Sequence, residues 1–159
     1  MCPLQQELKQ AKPFASLRQE VMLSVARTSA IWTHSFEQAL KVHGVTPTQY
    51  NVLRILRGAG PEGLCRYEIA ERLITPVPDV SRLLDRMAAA RLLTRERALT
   101  DRRLVVACIT PKGLAMLGAL DLPSQYIIDE KLKHMTDEQL VALRDLLDLA
   151  RNDGSEKQS

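Results

Sequence analysis

The chain has 159 residues, of which 45% are hydrophobic and 26% charged, a balance that excludes a disordered protein and fits one domain with or without extra arms. No apolar run approaches the ~20 residues needed to span a bilayer, so no membrane partner is expected. The net charge of +3 is uneven: residues 64–119 carry 10 basic against 6 acidic groups, whereas residues 120–159 carry 5 against 9, so a polyanion would be met by the centre and not by the tail.

Phe14, Leu17, Val21, Val25, Trp32, Phe36 and Leu40 recur at helical spacing. The spacing predicts one helix over residues 14–43, far longer than the ~11–12 residue mean. Such a helix is expected to pack against a second chain or to span two subdomains. Thr46-Pro47-Thr48-Gln49 opens the next helix with a cap, a first-turn proline and a capping-box glutamine. Val52, Leu53 and Leu56 give it a buried face. Gly58 to Gly63 ends it as a plain turn, because no Gly-Lys-Ser/Thr follows to make a phosphate loop.

Residues 66–73 read as a short amphipathic helix with Ile69, Ala70 and Leu73 inward. Ile74-Thr75-Pro76-Val77-Pro78 breaks it, and the next helix is expected to start near Val77 or Pro78. Val80, Leu83, Leu84 and Met87 form the inner face of that helix. Pro78, Asp79, Arg82, Asp85 and Arg86 then face outward. Residues 93–109 read as a β-hairpin whose tip carries Asp101, Arg102 and Arg103. All nine basic residues between Leu64 and Pro111 are Arg, and most lie on this helix and this hairpin. Arg can fork onto a guanine edge or enter a narrow minor groove.

Thr110-Pro111 repeats the cap-plus-proline device and starts a helix with Leu114, Leu117 and Leu120 as early apolar positions. Leu122-Pro123 is expected to kink or break it. Thr136-Asp137-Glu138-Gln139 is a capping box for a last helix with Leu140, Leu143, Leu147 and Ala150 on one face. Residues 152–159 are polar and expected to fray. The fold expected is therefore mainly α with a small β-hairpin wing: a winged helix-turn-helix with N- and C-terminal dimerisation helices. Residues 1–45 would form the N-terminal dimerisation helix, 46–112 the DNA-binding lobe and 113–159 the C-terminal dimerisation helices.

Arg82 and Arg86, one helical turn apart, are candidates for base or phosphate contact. The competing reading is a solvated face with internal pairs, since Asp79–Arg82 and Arg82–Asp85 have i,i+3 spacing. Ser81 borders that face and can bind phosphate or a base. Asp79 can accept from a cytosine amino group, or can simply match the helix dipole. Arg95 and Arg97 alternate along the first strand and can reach flanking phosphates; Arg66 and Thr75 are further phosphate candidates. At the hairpin tip the Asp101 carboxylate can hold a neighbouring Arg side chain extended.

Several of these stretches resemble one family in order and at fixed spacing. Val80-Ser81-Arg82-Leu83-Leu84-Asp85-Arg86-Met87 is similar to the recognition helix of the MarR family of bacterial transcriptional regulators. Asp101-Arg102-Arg103 resembles its wing-tip Asp-x-Arg signature, and Ile109-Thr110-Pro111-Lys112-Gly113 the stretch that closes the wing and opens the next helix. Where members often have Gly-Leu-Ser before the recognition helix, this chain has Ile74-Thr75-Pro76. The resemblance covers nearly the whole chain. It implies a homodimer, a pseudo-palindromic operator in double-stranded DNA, and often a ligand or oxidant that loosens DNA binding. It implies Arg103 as the inserted wing residue with Asp101 as its orienting partner. It also implies a ligand cleft between the dimer arms and the DNA-binding lobe, where Trp32 and His34 on the first long helix would be pocket residues; the alternative for both is core or dimer contact.

Nothing in the sequence points to catalysis. His34, His43 and His134 are scattered, and no strand-turn nucleophile motif appears. No metal and no cofactor are expected beyond an unidentified small-molecule effector. Cys2, Cys65 and Cys108 form no Cys-x-x-Cys and suit a reducing cytoplasm. The peroxide-sensing relatives carry a reactive Cys in the first helix, and this chain has none there. The expectation is a cytoplasmic homodimeric repressor that reads DNA. The alternative is a winged-helix protein–protein interaction module without DNA binding, which internal pairing of Arg82, Arg86 and Arg103 would favour.

Overall fold

The structure, a computed structural model, describes residues 2–97 and 104–152. In chain order it places α1 (Pro3–Glu7), α2 (Leu17–Lys41), α3 (Pro47–Ala59), β1 (Leu64–Cys65), α4 (Arg66–Arg72), α5 (Val80–Ala89), β2 (Leu93–Arg97), β3 (Val105–Ile109), α6 (Pro111–Leu132) and α7 (Asp137–Arg151). The fold is mainly helical, with one small antiparallel sheet of order β1-β3-β2. Contacts divide the chain into two compact units, residues 1–124 and 125–159.

The first unit carries the core. Leu40 from α2, Val52, Leu53 and Leu56 from α3, Ile69 from α4, Leu83, Leu84 and Met87 from α5, and Leu117 and Leu120 from α6 are all buried in one cluster. Phe36 on α2 meets Tyr50 on α3 edge to face, with ring centroids 5.3 Å apart. The long first helix thus enters the core only at its C-terminal end. Toward its start Leu17 and Met22 are 75% and 72% exposed.

Local signals set the helix starts. Ser16 caps α2, its Oγ accepting from the Gln19 N–H at 3.2 Å. The predicted capping box of α3 is formed: Thr46 Oγ1 accepts from Gln49 N–H at 3.2 Å, and Gln49 Oε1 accepts from Thr46 N–H at 3.0 Å. Thr136 and Gln139 repeat it at the start of α7.

The structure differs from the sequence expectation at five points. The first described residues form α1, a helix too short for periodicity to show, with Cys2 at its N-cap position and no side-chain cap. The hairpin gains a third strand, because β1 pairs with β3 in the register Leu64↔Ala107 and Cys65↔Val106. Ala70, expected inward, is exposed. α5 begins at Val80 and not at Val77 or Pro78, because Asp79 takes the cap: its Oδ1 accepts from Arg82 N–H at 2.8 Å. Finally, α6 runs through Pro123 without a break. Leu117 and Leu120, both fully buried, anchor the turns before the proline, and their burial outweighs one lost helical hydrogen bond.

Gly63 shows why β1 can lie against β3. It adopts φ +67°, and a Cβ there would stand 2.4 Å from the Ala107 carbonyl oxygen. Only glycine allows the strands to approach that closely.

The end of α5 is a Schellman motif. Leu92 N–H donates to Met87 C=O at 3.0 Å, and Arg91 N–H to Ala88 C=O at 2.8 Å. The position that is usually Gly in this motif is Arg91, at φ +61°. A left-handed conformation costs a side-chain-bearing residue about 1–2 kcal/mol, and Gly loses part of that advantage to its freer unfolded state. Arg91→Gly is therefore expected to raise stability by about 0.5–1 kcal/mol. Urea unfolding of the two proteins checks this; an unchanged or lower midpoint would assign Arg91 a compensating contact.

Candidate nucleic-acid interface

α4, the turn over residues 73–79, α5 and the β2–β3 hairpin form the winged helix-turn-helix. The two faces of α5 are chemically distinct. Leu83, Leu84 and Met87 are buried, whereas Arg82, Asp85 and Arg86 are exposed and Ser81 is half-buried. Arg82 and Arg86 stand at i,i+4, so their side chains leave the same face one turn apart. Among the described residues neither guanidinium is in an ion pair. The two i,i+3 pairs weighed from the sequence do not form. Asp79 spends its carboxylate on the backbone N–H of Arg82, and Asp85 turns to the wing instead.

That second contact changes the place of Arg95. Its guanidinium is paired with the Asp85 carboxylate, with the Arg95 side chain 25% exposed and that of Asp85 63% exposed. Arg95 lies opposite the buried Ala107 in the β2–β3 ladder. The pair therefore ties the first wing strand to the outward face of α5. Arg97, two residues on, is exposed. Asp101, Arg102 and Arg103 lie outside the described residues.

A partly exposed pair of this kind couples by about 0.5–1 kcal/mol. A double-mutant cycle of Asp85→Ala and Arg95→Ala, read by urea unfolding, should return that coupling at low salt and a smaller one at 1 M salt. Purely additive losses would show that the two side chains act independently.

The C-terminal end of α5 is pinned by the start of α6. Thr110 Oγ1 donates to Arg91 C=O at 2.7 Å and accepts from Gly113 N–H at 3.0 Å. Lys112 Nζ donates to Ala90 C=O at 2.8 Å. In the turn between α4 and α5, Asn51 on α3 accepts from Ile74 N–H through Oδ1 at 2.9 Å. Asn51 is not among the sequence candidates, because its partner lies 23 positions away and no local pattern marks it. Pro78 and Thr75 are exposed on the same turn.

At the start of α4, Arg66 stacks on Tyr67, its guanidinium carbon 4.2 Å from the ring centroid, and also donates to the Tyr67 hydroxyl. Cys65 N–H donates to the Glu68 carboxylate at 2.8 Å, and this bond holds the Glu68 carboxyl below the usual carboxylate range. Burial pushes the Cys108 thiol above its usual value, with Glu96 adding to the shift. Trp32 and His34 are both exposed on α2. An open depression at the α2–α3 junction is lined by Glu37, Gln38, Lys41, Val45 and Thr46, and neither Trp32 nor His34 borders it. Among the described residues no cluster of His, Cys, Asp and Glu could hold a metal ion, and no helix is long and apolar enough to cross a membrane.

A MarR family model matches residues 43–104, from the end of α2 to the start of β3. The MarR transcription factor of Planctomyces limnophilus, known from its crystal structure, is 34% identical; the match covers 86% of this chain and 99% of that one, with a TM-score of 0.65. This chain belongs to the MarR family. It is accordingly a DNA-binding transcriptional regulator. A second MarR-type relative, the HTH-type transcriptional regulator MhqR of Bacillus subtilis (strain 168), is 28% identical over 105 residues, which are 66% of this chain and 71% of MhqR. MepR of S. aureus, solved as a complex with DNA, has the same MarR fold at 20% identity and a TM-score of 0.75, covering 82% of this chain and 96% of MepR.

Proposed function

We propose that this MarR protein is a homodimeric, ligand-responsive repressor of the cytoplasm, without enzymatic activity, that binds a pseudo-palindromic operator. One observation carries the reading: α5 buries Leu83, Leu84 and Met87 and presents Arg82 and Arg86 without internal partners among the described residues. Each α5 would enter a major groove. Ser81, Pro78 and Asp79 would lie at its leading end, with Arg97 toward the flanking phosphates and Arg103, held by Asp101 beside Arg102, in the adjacent minor groove. MepR, a fold neighbour, binds DNA in its solved complex, which supports that use of the fold. The effector part of the reading rests on family membership, with Trp32 and His34 as the proposed pocket residues.

The dimer is proposed from α2. Leu17, Val21, Met22 and Val25 form an exposed apolar stripe on one long helix. Patches of that length on soluble proteins mark an interface, and obligate interfaces commonly bury over ~2,000 Å². The interaction-module alternative calls for Arg82, Arg86 and Arg103 to be paired off internally; Arg103 lies outside the described residues, and among the described residues Arg82 and Arg86 are in no ion pair. Selection of the full chain against a random duplex pool, with sedimentation at micromolar concentration, tests the reading. A two-fold symmetric site with half-sites ~34–36 Å apart, or a multiple, and a stable dimer are expected. Enrichment of no sequence, or a stable monomer, would overturn it.

A further inference from the structure

We propose that Ile74 is a specificity-determining residue that packs against the 5-methyl group of a thymine in the operator's major groove. This rests on the DNA-reading proposed above. Ile74 is the most exposed of the large apolar residues described, at 86%, yet the backbone that carries it is held on every side. Leu73 before it and Val77 after it both pack on the core cluster. Its own N–H is bound by Asn51 Oδ1 at 2.9 Å. Pro76 and Pro78 lock φ at two of the next four positions, and a β-branched side chain is itself stiff at χ1. The side chain is thus presented outward by a rigid turn and has not merely been left there.

A single exposed apolar residue is ordinary on a protein surface. Its setting decides the partner. The turn runs directly into Asp79, the cap of α5, and α5 carries Arg82 in its first turn. The turn and the first turn of α5 are consecutive in the chain, and the proposed contact places both at one groove. The exposed residues that flank Ile74 in the chain are Arg72, Thr75, Pro76, Pro78 and Asp79, a mixture of charged, polar and proline side chains of the kind that borders a nucleic-acid contact. The major groove offers one apolar group on a base edge, the thymine methyl. A pre-set Ile side chain loses little rotamer freedom on meeting it.

The test uses the full-length protein and its selected operator. Each thymine of a half-site is replaced in turn by deoxyuridine, which removes only the methyl group. Binding of wild type, Ile74→Ala and Ile74→Val is measured by fluorescence anisotropy at one salt concentration. One position is expected to weaken wild type by about four-fold, the effect of one buried methyl. Ile74→Ala should be indifferent to that replacement, and Ile74→Val, which keeps the branch, should retain most of the sensitivity. Equal responses of wild type and Ile74→Ala at every position, or an Ile74→Ala that binds as wild type does, would overturn the thymine contact and leave the DNA-reading intact. Failure of wild type to select any duplex would overturn the DNA-reading, and the thymine contact with it.

Discussion

Gly113→Ala should be among the most damaging single-methyl additions to this protein, with a loss of about 3 kcal/mol and a fall of roughly 6–12 °C in Tm. A Cβ at Gly113 would stand 2.2 Å from the Leu92 carbonyl oxygen, 2.9 Å from Ile109 Cγ1 and 3.2 Å from Leu53 Cδ2. The two side chains can give way, but the carbonyl cannot. Leu92 belongs to the Schellman motif that ends α5, and its oxygen also accepts from Thr110 N–H at 3.2 Å. Moving it would disturb the recognition helix, the entry to β2 and the start of α6 together. Thermal unfolding at matched protein concentration checks this. A Tm within 2 °C of wild type would show that α6 can slide away from the α5 terminus at little cost.

Arg82→Ala should remove sequence preference before it removes DNA binding. The first turn of a recognition helix is where base edges come within reach, and a bidentate Arg–guanine contact discriminates by about 1–3 kcal/mol, or ~5- to 150-fold. Arg97→Ala is the contrasting substitution. Its exposed position on the wing strand suits a phosphate, so its loss should weaken all sequences alike and flatten the salt slope by about one unit. Titration of both variants on operator and on scrambled duplex, at several salt concentrations, separates the two roles. An unchanged specificity ratio for Arg82→Ala would take Arg82 off the base edges.

Much of this was legible where the signal was local. The Thr46 and Thr136 capping boxes depend on residues three apart, and both form as the sequence implies. The apolar spacing of Leu83, Leu84 and Met87 identified the inner face of α5, and with it Arg82 and Arg86 as outward. The start of α5 was misplaced because proline geometry and an Asp cap competed, and the cap decided. What stayed hidden was nonlocal. Two residues cannot show a period of two, so β1 could not be seen without β3. The Asp85–Arg95 pair joins a helix to a strand ten residues away, whereas the sequence offered Asp85 a nearer partner in Arg82. The Asn51–Ile74 hydrogen bond spans 23 positions. Pro123 in α6 read as a kink or break because its local cost is evident, whereas the burial of Leu117 and Leu120 that holds the helix continuous is not.

The short pairing of β1 with β3 has a consequence for how the protein is made. Leu64 and Cys65 find their partners at Ala107 and Val106, so α4, the turn and α5 all lie inside a loop closed by that ladder. During synthesis the recognition helix leaves the ribosome well before the strand that completes its support. A nascent chain ending near Arg97 holds every base-reading candidate on α5 but has neither β3 to receive β1 nor Thr110 and Lys112 to hold the end of α5. Because domains fold as units once their last element is available, competence to bind DNA should arrive abruptly as residues beyond Gly113 emerge, and not gradually with the helix itself.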